Sequence, residues 1–162
     1  LLQDTLTVAS YELKGVAAAS CDLEESLPLV MCSRGDLGQV FLNLMINAAH
    51  AIADTNATKA SGTMGNVYVT TRRDGEDVVV SIRDTGGGIP DHIRPNIFVP
   101  FFTTKEVGRG SGQGLALARS IVTQRHKGSL SFDTEVGVGT TFHVRLPIAG
   151  ARAVQPVTDA AA

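Results

Sequence analysis

Two glycine clusters, DTGGGIP at 84–90 and GRGSGQG at 108–114, leave few ways to fold the middle of this chain. The first follows Val78–Arg83, a run rich in β-branched residues, so a strand should end at Asp84 in a tight backbone turn. The second opens a helical pattern, Gly114–His126, which Lys127 and Gly128 close with a basic residue and a C′ glycine. Between them, residues 90–113 carry neither a strand nor a helix period, only the aromatic-flanked basic segment FVPFFTTKE.

The flanking elements alternate. Residues 1–14 carry apolar positions Leu2, Leu6, Val8 and Leu13, a helix ended by Gly15. Val16–Cys21 and Leu29–Cys32 read as short strands, with Pro28 leading into the second. Ser33 or Asp36 caps a long helix running to about Asp54. The small, polar stretch ADTNATKASGTMGN reads as a loop. Val67–Arg73 and Val78–Asp84 flank Asp74-Gly75, a hairpin signal. Ser129–Thr134 and Thr140–Leu146 form another pair around Gly137 and Gly139. This blockwise order favours an α/β two-layer sandwich, one mixed sheet packed on helices, over a doubly wound parallel sheet. Residues 1–148 form the domain, and the alanine-rich 149–162 is expected to be a disordered tail.

Composition excludes several classes. With 162 residues, 43% of them hydrophobic, the chain can bury a full core. Its 14 basic and 16 acidic residues give a net charge of -2, so no field recruits nucleic acid or an acidic membrane. No stretch approaches the roughly 18 apolar residues of a membrane span. Cys21 and Cys32 read as buried thiols rather than a disulfide. The chain starts within a helical pattern and without methionine, so it reads as a fragment of something longer, in a cytosolic setting.

The long helix, DLGQVFLNLMINAAHAIAD, has an apolar stripe of Leu37, Val40, Phe41, Leu44, Ala48 and Ile52. Leu42, Met45 and Ile46 widen it, so much of the helix should be buried. Yet Asn43, Asn47 and His50 fall on one line. A buried amide without a partner costs about 1–3 kcal/mol, so two on one stripe require a reason. They could satisfy neighbouring backbone groups, or their oxygens could face a hydrated cation; magnesium accepts one or two protein oxygens beside phosphates. Asp84, at the floor of a side-chain-free turn, accepts hydrogen bonds only. It can therefore select an exocyclic amine such as that of adenine, with Ile89 as an apolar wall. An ordinary capped turn would look the same. Together with a helix start whose free N–H groups suit phosphate oxygens, these features describe a purine nucleotide site under a mobile cover.

In order, NLMINAAHA, DTGGGI, IFVPFFTTK, GRGSGQGLALA and GVGTTFHVRLP resemble the motifs of the catalytic, ATP-binding domain of sensor histidine kinases. That family belongs with DNA gyrase and the mismatch-repair ATPases. The resemblance covers residues 1–148. It implies a mostly antiparallel sheet against about three helices, with an ATP lid over roughly 98–111. It implies Asn47 as the magnesium ligand and Asp84 as the adenine-reading carboxylate. Gly86, Gly88 and Ile89 would lie at the base; Phe102, Thr103, Thr104 and Lys105 on the lid. Gly110, Ser111, Gly112, Gly114 and Leu115 would stand at the phosphates. Thr141 would support the water network near adenine, and Phe101 or Phe102 would latch the lid.

Two positions depart from the usual pattern. Gln113 stands where an apolar residue is common, and His50 where many relatives have lysine. That leaves Lys105 and Arg109 as γ-phosphate contacts, or simply as solvated loop charges. Asn43 stands where the gyrase-like relatives carry a catalytic glutamate; an amide is no base, which favours transfer over hydrolysis. None of His50, His92, His126 and His143 lies in the phosphoacceptor context of such kinases. The implied partners are therefore ATP with magnesium, a separate histidine-bearing dimerisation domain and a downstream response regulator. An ATP-driven clamp and a binding-only module stay open as alternatives.

Overall fold

The apolar stripe forms the spine of the computed structural model, which describes residues 1–58, 64–104 and 111–150. The stripe lies on α2, Arg34–Thr58, and all six of its residues are buried. Ser33 sets the start of this helix: its Oγ accepts the Asp36 N–H at 3.3 Å, and its carbonyl accepts the Leu37 N–H at 3.0 Å. The helix passes Asp54 and takes up residues expected in the loop. No residue between Asp54 and Thr58 breaks it, so the small polar residues continue the last turns.

Beneath the helices lies a five-stranded sheet: β1 Ala17–Leu23, β2 Gly65–Asp74, β3 Asp77–Asp84, β4 Ser129–Glu135 and β5 Gly139–Pro147. The order is β1-β2-β3-β5-β4, with β1 and β2 parallel and the other pairs antiparallel. This is the mixed, mostly antiparallel sheet expected. The helical layer is completed by α1, Leu2–Leu13, and α3, Gly114–Ser120, which continues through a π turn at Ile121–Arg125. Among the described residues, no helix is long and apolar enough to cross a membrane.

Strand alternation sends Val67, Val69, Val80, Ile82, Phe142 and Val144 into the core beneath the helices, each no more than 4% exposed. Phe98, ahead of the second glycine cluster, completes an aromatic group with Phe132 and Phe142 at centroid distances of 6.0 and 6.5 Å. Gly75, at φ +64°, makes the expected β2–β3 turn.

Two expectations fail. Leu29–Cys32 is not a strand. The Glu24 N–H donates to Thr71 Oγ1, and the Arg73 N–H donates to the Glu24 carboxylate, which closes the β1–β2 ladder at Leu23. Pro28 then lacks an N–H for a further ladder, and Leu29 is 95% exposed. Nor are the thiols buried: both are free and exposed, Cys21 on the edge strand and Cys32 just before α2. The expected tail beyond Gly150 lies outside the described residues.

Ile52 ties α2 to the start of β2, where a Cβ on Gly65 would collide with the Ile52 side chain. We expect Ile52→Ala to lower the unfolding free energy by about 2–5 kcal/mol in urea titrations. A loss below ~1 kcal/mol would show that this contact is not part of the cooperative core.

Candidate functional site

One face of α2, the turn after β3 and the start of α3 enclose a cavity of about 710 Å³. From α2 come Asn43, Asn47, His50 and Asp54, the polar line predicted from helical spacing with one further member. Ile46, Ile89, Ile93, Ile97, Leu115 and Val136 supply apolar wall. Phe102, Thr103 and Thr104 also border the cavity, as do Ser111, Gly112 and Gly114 at the start of α3. Lys105, Arg109 and Gly110 lie outside the described residues.

The cavity has two distinguishable ends. At one, Asn43 Nδ2 donates to the Gly114 carbonyl at 3.2 Å, which fixes α3 against α2. At the other, Gly86 packs on the backbone of Ala51: an added Cβ would stand 2.8 Å from its carbonyl carbon. A Cβ on Gly87 would stand 3.1 Å from Thr55 Oγ1. The turn therefore has to be glycine for the strand end to approach the helix. Gly112, at φ +65°, plays a comparable part across the cavity, where a Cβ would lie 2.7 Å from the Phe101 carbonyl oxygen.

Asp84 lies beneath this turn rather than on the cavity wall, and is 2% exposed. Its Oδ1 accepts the N–H groups of Gly86 at 2.8 Å and Thr140 at 3.3 Å. Both bonds fall on one oxygen; among the described residues Oδ2 accepts none. Burial pushes the Asp84 carboxyl above its ordinary range and outweighs the two N–H donors, which pull it down. Thr134, expected only as a strand end, knits the surroundings: its Oγ1 accepts the Ile89 N–H at 2.9 Å and lies 3.0 Å from Thr140 Oγ1.

Thr141 requires correction. It pairs with Arg83 on the opposite face of the sheet, because β5 alternates sides; Thr140 is the residue that meets Asp84. The two phenylalanines also separate. Phe102 borders the cavity, while Phe101 is 71% exposed at φ +66°, its N–H bonded to the Gly112 carbonyl at 2.9 Å. The sequence reading missed Ala51, Asp54 and Thr55, although helical spacing from Asn47 pointed to them.

A sequence profile described as histidine kinase-, DNA gyrase B- and HSP90-like ATPase matches residues 33–150, and the chain belongs to that family. Its relatives are sensor kinases. The chain is 34% identical to sporulation kinase E of Bacillus subtilis over 91% of its own length and 19% of that protein. It is 39% identical to the sensory histidine kinase/phosphatase NtrB of Azospirillum brasilense, over 77% of this chain and 32% of that one. The chain thus spans a fifth to a third of these relatives. Among solved structures, the catalytic domain of histidine kinase ThkA superposes with a TM-score of 0.74 at 25% identity, covering 91% of this chain and 90% of that one. Full-length ShkA in complex with AMPPNP gives 0.73 at 27% identity, covering 94% of this chain and 30% of that one.

Because its carboxyl is raised by burial, the Asp84 charge costs stability at neutral pH; that cost is relieved as pH falls through the folded pKa toward the ordinary 3.8. Asp84→Asn keeps an oxygen for both N–H donors and removes the charge. Its melting temperature at pH 7 should equal or exceed that of the unaltered protein, with the gap closing in acid. If Asp84 reads the adenine amine, as the family resemblance implies, ATP affinity by calorimetry should nevertheless fall at least about tenfold, since an amide Nδ2 would then oppose that amine donor to donor. Retained affinity would contradict that reading of Asp84.

Proposed function

We propose that this chain is the ATP-binding catalytic domain of a two-component sensor histidine kinase. It presents the γ-phosphate to a histidine on a separate dimerisation domain, which in turn supplies a response regulator. The observation that carries the reading is the pairing, in one cavity, of the Asn43–Asn47 face of α2 with the glycine turn that covers Asp84. The cavity suits ATP in polarity as well as size. Apolar Ile89 lies in the turn after Asp84, with Val136 beside Gly88, and polar Asn43 meets Gly114 at the start of α3.

The residues present also fit magnesium. Among the described residues no group of three or more His, Cys, Asp or Glu could cage a metal, whereas the Asn47 amide faces the cavity. A single protein oxygen beside phosphates is what this cation accepts. Magnesium, when bound, neutralises charge on the phosphates. The rest is positioning, which is most of what phosphoryl transfer asks of a protein. Asp84 orients the base, the Gly112–Gly114 segment lets backbone approach the phosphates, and Asn43 holds α3 in place through Gly114.

Asn43 also favours transfer over hydrolysis. Its amide nitrogen is committed to the Gly114 carbonyl, and an amide cannot take a proton from water. Two of the protein's own histidines are poor acceptors. His126 is buried, accepting the Ser33 N–H at 3.1 Å, with Nδ1 at 3.2 Å from the Ile121 carbonyl. His143 is held between Ser81 and Asp133 at 2.8 and 2.9 Å. A kinase domain using ATP in this way would work in the cytoplasm, touching neither nucleic acid nor membrane.

Titration of the protein with ATP tests the metal role. Binding in the micromolar range or weaker is expected, strengthened by magnesium. Asn47→Leu should lose at least about tenfold in magnesium and little in its absence. With a histidine-bearing dimerisation domain added, label from γ-labelled ATP should appear on that domain. Rapid ATP turnover by the chain alone would instead indicate an ATPase clamp.

A further inference from the structure

Asp54 is the one carboxylate among the described residues that line the cavity, and neither the polar line of asparagines nor the glycine turns account for it. It stands on α2 one turn beyond His50 and two turns beyond Asn47, about 10 Å from Asn47 along the axis. No single cation can therefore be shared by the two. Its place relative to the ligand follows from the two ends of the cavity. Asn43 meets Gly114 at one end, and Ala51 and Thr55 meet Gly86 and Gly87 at the other. Those contacts span about 18 Å of helix, and Asp54 falls within the final turn, at the Asp84 end.

A carboxylate only accepts hydrogen bonds, and it repels phosphate. ATP carries three donor groups: the exocyclic amine of adenine and the 2′- and 3′-hydroxyls of ribose. The amine belongs to Asp84, which lies beneath the turn with Oδ2 open. A carboxylate next to the same end, but on the cavity wall, meets the remaining donors. On the reading of this cavity as an ATP site, we propose that Asp54 accepts hydrogen bonds from the ribose hydroxyls. It is thus a specificity-determining residue that favours ribonucleotides over deoxyribonucleotides. Because Asp54 is exposed, the preference is modest: a single solvent-accessible hydrogen bond to a charged acceptor gives about three- to tenfold.

Competition calorimetry with ATP, 2′-deoxyATP and 3′-deoxyATP, each with magnesium, tests this on the intact protein and on Asp54→Ala. Alanine at an exposed helical position maintains the helix, so the variant should fold. The unaltered protein should bind ATP about three- to tenfold more tightly than at least one deoxy analogue. Asp54→Ala should bind ATP as weakly as that analogue, while its affinity for the analogue stays where it was. Asp54→Asn, which keeps an acceptor oxygen, should retain part of the preference. A preference unchanged in Asp54→Ala, or no preference in the unaltered protein, would overturn the assignment while leaving the ATP site intact. Failure of the unaltered protein to bind any of the three would overturn the ATP reading itself.

Discussion

A buried carboxylate at the end of the third strand sets the geometry around it. Asp84 is held by two backbone N–H groups, one from its own turn and one from β5. For both to reach it, Gly86 has to lie against the backbone of Ala51, and Gly139 has to approach the Asp84 carbonyl closely enough that a Cβ would collide with it. The Gly137 N–H closes the other side by donating to the Gly87 carbonyl at 2.8 Å. Helix, turn and hairpin therefore converge on one charge that burial disfavours. That tension is typical of a residue retained for a ligand rather than for stability.

The same convergence gives the cavity its direction. The helix α2 contributes both the core stripe and the polar line, so the packing that buries Leu44 and Ile52 also turns Asn43, Asn47 and Asp54 toward the cavity. The two ends of the cavity are then separated along a single rigid element, and Asn43 couples the far end to α3. The opposite face of the sheet carries a different polar arrangement, with Ser81, His143 and Asp133 linked across three adjacent strands.

Much of this was legible in the sequence because period and turn chemistry agree with the fold. The apolar stripe of α2, the β2–β3 hairpin at Gly75 and the strand ending at Asp84 all rest on local signals. What failed depended on tertiary context. Leu29–Cys32 has strand-like residues but no ladder to join once Glu24 caps its neighbours. Thr141 and Thr140 are equally plausible in sequence, and only the register of β5 against β3 decides which faces Asp84. Thr134 reaches the turn from a strand 45 residues away, and no local pattern could have announced it.

The polarity of the cavity from Asp84 to Asn43 is tested most directly by a crystal structure with magnesium and a non-hydrolysable ATP analogue. The adenine amine should lie on Asp84 Oδ2, the metal beside Asn47 and the phosphates against Gly112–Gly114. A nucleotide bound in the reverse direction, or seated away from the Asp84 turn, would contradict it.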